Sequence, residues 1–251
     1  GKISNLLAAY WADVIARGTG GNNAGHTVVV NDRKLVFHLL PAGILYDDAG
    51  KINVLGNGMV INPWALVQEL DELTDLGLTY NNLIVSKDAH VVMPYHIKRD
   101  KEKDQSQAEG GIGSTGRGIG PCYADKVARR GIQISDLFDR NELVRKLIAI
   151  KRDYTEQEIN IDEIVEDILP IVERIKPLAR DTVQEMQRFA REGRRIGIEG
   201  AQGLLLSLEH GTYPYVTSSD CSVNGTAIGV GLPATLVDLV LGVLKFPFMT
   251  R

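Results

Sequence analysis

Leu6, Leu7, Tyr10, Trp11, Val14 and Ile15 recur at spacings of three and four. That apolar stripe predicts a helix over 3–16, ended by Gly18, Gly20 and Gly21. HTVVV and KLVFHLL then read as two strands around a tight Asn31–Asp32 turn. INVLGNG reads as a short strand running into a glycine turn, and NLIVS as a further strand. Asn62 before Pro63 marks a helix start, and the pattern ends that helix near Gly77. Pro121 opens another helix that stops at Gly131. From Glu142 to Arg194 the spacing is mostly helical, with a break or kink expected at Pro170 and at Pro177. RRIGIEGAQG returns to strand and then to a glycine turn, and VDLVLGVLKF reads as a fully buried strand. Strands alternating with helices predict an α/β fold: a central, mostly parallel β-sheet flanked by helices, with a helical lobe. Residues 1–251 read as a single, incomplete α/β domain, with 142–194 as a helical subregion within it. No internal repeat or low-complexity segment is visible.

Composition narrows the class. The chain has 251 residues, 44% of them hydrophobic, enough for one sizeable core. A formal net charge of -4 excludes a general nucleic-acid binder, in which basic residues dominate. Cys122 and Cys221 are far apart and match no metal-ligand spacing, so reduced thiols and a cytoplasmic location are expected. No apolar run reaches the length of a membrane span, and no secretory leader pattern is visible. The chain opens on GKISNLL without a methionine and closes on LVLGVLKFPFMTR, so both ends are expected to continue.

Three glycine-rich turns carry candidate chemistry: GTGGNNAGHT, GIGSTGRGIGP and GAQGLLLSLEHGTYPYVTSSD. Glycine lets backbone approach a ligand, and successive N–H groups at a turn make a phosphate site. Ser114, Thr115 and Thr217 add hydroxyls, and arginine adds a planar fork suited to phosphate. His26 suits proton transfer near neutral pH, or else a structural histidine bonding its turn. His38, His90, His96 and His210 read as structural. Gln202 can read a base edge, or bond its own loop. Glu199 reads as a base, a metal ligand or, more simply, an anchor for backbone N–H groups. Lys126, Arg129 and Arg130 fit a solvated helix face; such a side chain can also reach a partner subunit's site.

GGNNAGHT, GNGMVINP, GSTGRGIGPCYADKVARRG and EGAQGLLLSLEHGTYPYVTSS, in that order and spacing, resemble the adenylosuccinate synthetase family across the whole chain. The resemblance implies a fold similar to that of P-loop NTPases, in a GTP-dependent ligase that is usually a homodimer. It implies ligation of IMP to L-aspartate in purine biosynthesis, with GTP as co-substrate and Mg²⁺. Position by position, His26 matches the general acid, and Gly25 the glycine whose carbonyl binds Mg²⁺. Asn23, Ala24, Gly25, His26, Thr115, Gln202 and Thr217 match IMP-contacting positions. Arg129 matches the arginine that serves the neighbouring subunit's IMP. Gly1 and Lys2 match the end of the GTP phosphate loop, and Gly25, His26 and Thr27 lie by the same nucleotide.

The departures are also specific. The family's phosphate loop and catalytic aspartate precede Gly1, and its aspartate-gripping and guanine-reading segments follow Arg251. This stretch alone is therefore expected not to turn over. Asn22 stands where many relatives have histidine. Two alternatives follow: a related ligase aminating another purine nucleotide, or an inactive nucleotide-binding or dimerisation module.

Overall fold

The structure is a computed structural model, and it describes residues 2–30, 33–106, 113–155 and 158–243. Helix α1 (Lys2–Tyr10) leads into β1 (Val14–Arg17). A hairpin of β2 (His26–Val30) and β3 (Arg33–Phe37) follows, then a 3-10 turn, β4 (Ile52–Leu55), β5 (Val60–Ile61) and α2 (Pro63–Asp75). Next come β6 (Leu83–Ser86), β7 (His90–Val91), α3 (Pro94–Ser106), α4 (Ile119–Val127), α5 (Arg140–Asp153) and α6 (Ile161–Ile175). The chain then adds β8 (Ala179–Arg180), α7 (Thr182–Arg191), β9 (Ile196–Glu199) and α8 (Val223–Gly229).

The main sheet has five strands in the order β8-β6-β4-β1-β9. All four of its pairings are parallel. β1 lies inside it, with all four residues buried. Parallel strands covered on both faces read as continuous apolar runs, and VIAR does so up to its arginine. The β2–β3 pair is an antiparallel hairpin outside this sheet, and its Asn31–Asp32 turn lies outside the described residues.

The larger core joins the sheet to the helices. Leu66, Leu70 and Leu73 of α2 meet Ile164, Ile168, Val172 and Ile175 of α6 there. Each such side chain, fully buried, contributes about 1.5–3 kcal/mol. The Asn62 side chain accepts the Ala65 N–H and so caps α2, with Pro63 in the first turn.

Four expectations need correction. The helix expected over 3–16 stops at Tyr10, where the Trp11 and Ala12 N–H groups both turn back to the Leu7 carbonyl. Val14 and Ile15 belong to β1; an all-buried strand has no alternation, so its apolar residues merged with the helix stripe. Pro170 neither ends nor breaks α6 but lies inside it on an exposed face, where its missing N–H is the least costly. Pro177 does sit in the 3-10 turn that follows α6. The stretch 142–194 also contains a strand, β8, which pairs with β6 at the sheet edge. Residues 237–243 of VDLVLGVLKF form no strand, and Leu239, Val240, Leu241 and Val243 are exposed. An apolar run becomes a strand only when a neighbour pairs its N–H and C=O groups, and none does here among the described residues. Residues 244–246 of that run lie outside the described residues.

Candidate active site

The chain leaves β1 at Arg17 and makes the turn 18–25 above the carboxyl end of the parallel strands, where open α/β sheets place their ligands. The turn is tied to α4. The Gly20 N–H donates to the Tyr123 hydroxyl at 2.9 Å, and that hydroxyl donates to the Gly58 carbonyl at 2.8 Å. Burial pushes the Tyr123 phenol up, so it stays a neutral hydroxyl. The Gly21 N–H donates to Asn23 Oδ1 at 3.2 Å.

The glycine loop before α4 is held from α3. Asp100 Oδ1 accepts from the Ser114 hydroxyl at 2.7 Å, and Oδ2 accepts the Gly118 N–H at 2.8 Å. Gly118 caps α4 at φ 77°, a left-handed conformation that glycine adopts without a Cβ clash. Arg117 in this loop turns toward the other turn: its Nη1 donates to the Asn22 carbonyl and lies 3.2 Å from His38 Nδ1.

His26 opens β2 beside the end of β9. Its Nδ1 lies 3.3 Å from Glu199 Oε1, while Glu199 Oε2 accepts the Ala42 N–H at 3.0 Å. Arg17 sits opposite Glu199 in the sheet register and donates to the carbonyls of His38 and Leu39 at 2.6 and 2.9 Å. Glu69 of α2 accepts the N–H groups of His38, Leu39 and Leu40 at 2.8, 3.0 and 3.0 Å. Burial pulls the Arg17 guanidinium down, opposed by Glu199 and Glu69, and burial pushes Glu69 up against those backbone donors. His26 is pulled down to about 4, chiefly by burial, with Glu199 opposing and Arg17 and His38 adding to it. It is therefore neutral at pH 7 with no ligand bound.

Several buried polar atoms here have no protein partner: Arg17 Nε, Thr19 Oγ1, Asn22 Oδ1, His26 Nε2 and Gln202 Oε1. Buried polar atoms are normally satisfied, so an unpaired group on one turn points to a polar ligand. Gln202 holds φ 59°, an unusual conformation for a residue with a side chain. Its Oε1 stands against Gly20, where even a Cβ would approach within 3.1 Å.

Asn23, Ala24, Gly25 and His26 thus share one turn, and Gln202 faces it. Thr217 is not shown to touch this turn: its N–H donates to the Leu206 carbonyl at 2.8 Å, and it is the next residue, Ser218, whose hydroxyl would lie 3.1 Å from a Cβ at Gly120 at the start of α4. Thr115 is exposed in the loop that sends Arg117 to Asn22. Arg129 is not brought in: it follows the opposite end of α4, exposed, at φ 60°. Lys2 is exposed in α1 and Thr27 is exposed in β2, while Gly1 lies outside the described residues.

A magnesium ion takes about six oxygen ligands. Among the described residues no three acidic, histidine or cysteine groups could hold a metal, and Gly25 offers a single carbonyl. The described residues therefore do not form a metal site by themselves. Both cysteines are free thiols.

Sequence reasoning passed over Arg17 and Glu69, and read His38 as purely structural. An arginine ending an otherwise apolar strand just before GTGG was the available signal for Arg17. Glu69 looks like any helical carboxylate until the hairpin folds onto it. Glu199 does anchor a backbone N–H as expected, and in addition approaches His26.

The adenylosuccinate synthetase family model matches residues 1–251. The chain belongs to the adenylosuccinate synthetase family. It is 44% identical over 259 residues to the adenylosuccinate synthetase of Halothermothrix orenii, and 43% identical over 254 residues to that of Clostridium perfringens. These alignments cover 100% and 98% of this chain, but 60% and 59% of the relatives. The chain thus spans about 60% of the length of the curated relatives it matches. A fully ligated adenylosuccinate synthetase from Plasmodium falciparum superposes with a TM-score of 0.87 at 34% identity, covering 97% of this chain and 57% of that one. The succinoaminodeoxyadenylate synthetase of cyanophage S-2L, bound to dGMP and dATP, superposes with a TM-score of 0.63 at 25% identity, covering 93% of this chain and 56% of that one. The mostly parallel sheet flanked by helices is this family's fold.

Proposed function

We propose that the chain carries the IMP side of a GTP-dependent ligase that joins IMP to L-aspartate. The observation that carries this reading is the set of unpaired buried atoms on the turn 17–26, faced by Gln202. They fit a polar ligand with both donors and acceptors, as a purine base and its ribose phosphate are. The 44% identity to an adenylosuccinate synthetase supports the same substrate class. The higher TM-score with the Plasmodium enzyme, 0.87 against 0.63 for the phage enzyme, favours IMP over a guanylate.

In this reaction the γ-phosphoryl of GTP passes to the 6-oxygen of IMP and GDP leaves. The aspartate amine then attacks C6 and phosphate departs. The first step converts a poor leaving group into a good one. His26 is the catalytic residue, with Nε2 toward the transferring phosphoryl. Asn23, Gln202, Thr115 and Thr217 orient IMP. Lys2 and Thr27 border GTP. The Gly25 carbonyl would be the one ligand this stretch offers to Mg²⁺, whose charge would offset that of the phosphates. Arg129, exposed at the far end of α4, serves the neighbouring site of a homodimer in the cytoplasm. Among the described residues no helix is long and apolar enough to cross a membrane.

The test is formation of adenylosuccinate from IMP, GTP and aspartate by the full-length protein, followed by absorbance. His26→Ala is expected to lower turnover by about 10²-fold or more with the fold intact. Unchanged turnover would remove His26 from catalysis. No turnover by the unmodified full-length protein would leave the two alternatives, a ligase aminating another purine nucleotide or an inactive binding module.

A further inference from the structure

Two adjacent arginines follow α4, and their side chains have opposite fates. Arg130 is held three ways. Its Nε donates to Asp125 Oδ1 at 2.8 Å, its Nη1 donates to Asp153 Oδ2 at 3.3 Å, and its guanidinium lies over the Tyr154 ring, 5.6 Å from the centroid. Arg129 is exposed, and among the described residues its side chain has no hydrogen-bond, ion-pair or ring partner.

The backbone of Arg129 is also unusual. Its φ is 60°, in the left-handed region that glycine adopts without a Cβ penalty. The Arg129 N–H donates to the Lys126 carbonyl at 3.1 Å, and the Arg130 N–H donates to the Asp125 carbonyl at 3.1 Å. That pair of bonds closes a helix whose next residue is left-handed, and glycine is its usual occupant. An arginine there is disfavoured by its backbone and gains no protein contact in return. A strained residue with a free charged end points to a contact made outside the chain.

The residues on either side of Arg129 are fixed. Asp125 is fully buried, and its Oδ2 accepts from the Tyr154 hydroxyl at 2.9 Å. His96 Nδ1 accepts the Met93 N–H at 3.0 Å, which leaves Nε2–H to donate to the same Oδ2 at 3.1 Å. The Gly131 N–H reaches the Asp125 carbonyl at 3.2 Å, and a Cβ at Gly131 would run into the His90 ring. The chain is thus anchored at 125 and again at 130–131, and Ala128 and Arg129 must bridge the gap.

We propose that Arg130, locked to Asp125, is the positioning residue that holds Arg129 in its left-handed turn with the guanidinium directed outward. This deepens the ligase reading and rests on it for what Arg129 contacts, the IMP of a neighbouring subunit. Arg130 touches no substrate. Without its tether the turn can relax, Arg129 samples other directions, and binding must first restrict it again.

The experiment is a double-mutant cycle in the full-length protein, with IMP Kd read by titration calorimetry and adenylosuccinate formation measured in parallel. Arg130→Met keeps the aliphatic stem against Tyr154 and removes both ion pairs. It is expected to raise the IMP Kd roughly fivefold, and to add less than about twofold once Arg129→Leu is present. An IMP Kd unchanged by Arg130→Met overturns the proposal, and so does a rise that multiplies in full with that of Arg129→Leu. An Arg130 that merely stabilises the fold would lower the urea midpoint and leave the IMP Kd alone. Should Arg130→Met not fold, Arg130→Lys, which keeps the charge but not the planar fork, takes its place in the cycle with the same outcomes. An IMP Kd unchanged by Arg129→Leu removes Arg129 from the site and overturns the proposal with it. Absent turnover in the unmodified protein, with the cycle as stated, would overturn the ligase reading and leave the Arg130 role standing.

Discussion

Single residues decide how closely the turns approach one another. At Gly58 an added Cβ would run into the Gly18 carbonyl and the Gly229 backbone. Those neighbours are backbone atoms, which cannot swing aside as a side chain can. Gly58→Ala is expected to cost about 1–3 kcal/mol, read as a lower urea midpoint with unchanged slope. A midpoint equal to that of the unmodified chain would show that the turns can part freely. At this scale the sequence showed its chemistry unevenly. His26, Asn23 and Gln202 stood out because glycines flank them. Arg17 and Glu69 did not, because their partners are backbone groups about 20 and 30 residues away, which no local pattern reports.

At the scale of elements, most boundaries were legible where capping chemistry marks them. Asn62 and Pro63 open α2 as expected, whereas α4 starts at Ile119, ahead of Pro121, and already ends at Val127, short of Gly131. The failures share a cause: tertiary pairing overrode local pattern. β1 was absorbed into a helix stripe because it is buried on both faces. The short edge strand β8 has too few residues to show any period. The apolar run at 237–243 lacks a neighbouring strand among the described residues, so its β propensity is not expressed. Pro170 shows the reverse case, a helix that tolerates a breaker because α6 is anchored on both sides of it by Ile164, Ile168, Val172 and Ile175. Restoring the missing N–H should therefore stabilise the element. Pro170→Ala is expected to raise stability by about 1–3 kcal/mol in thermal or urea unfolding. A drop would mean that the proline ring itself packs usefully at this exposed position.

At the scale of the molecule, partly buried histidines couple stability to pH, and fully buried His96 and half-buried His38 are pulled down in the same direction. His26 and His90 are both pulled down to about 4, first by burial, from an ordinary value of 6.5. The unfolded chain takes up these protons as pH falls below about 6.5, while the folded chain resists until about 4. More protons are then bound in the unfolded state, so stability falls as pH drops through this window and is fully present above it. Urea midpoints should decline from pH 7 to pH 5, and His90→Gln should flatten part of that decline. A pH-independent midpoint over this range would contradict the neutral, buried state of both rings. At this scale the parallel sheet brings the 18–25 turn, the Gln202 turn and the start of α4 next to one another, with buried polar atoms left unpaired on the first two. The proposal stands or falls on whether these turns receive IMP. Isothermal titration of the chain with IMP tests it most directly. The account predicts saturable one-to-one binding that Gln202→Ala weakens by about tenfold or more, the equivalent of about 1.4 kcal/mol. Absence of binding, or an affinity that Gln202→Ala leaves unchanged, would contradict it.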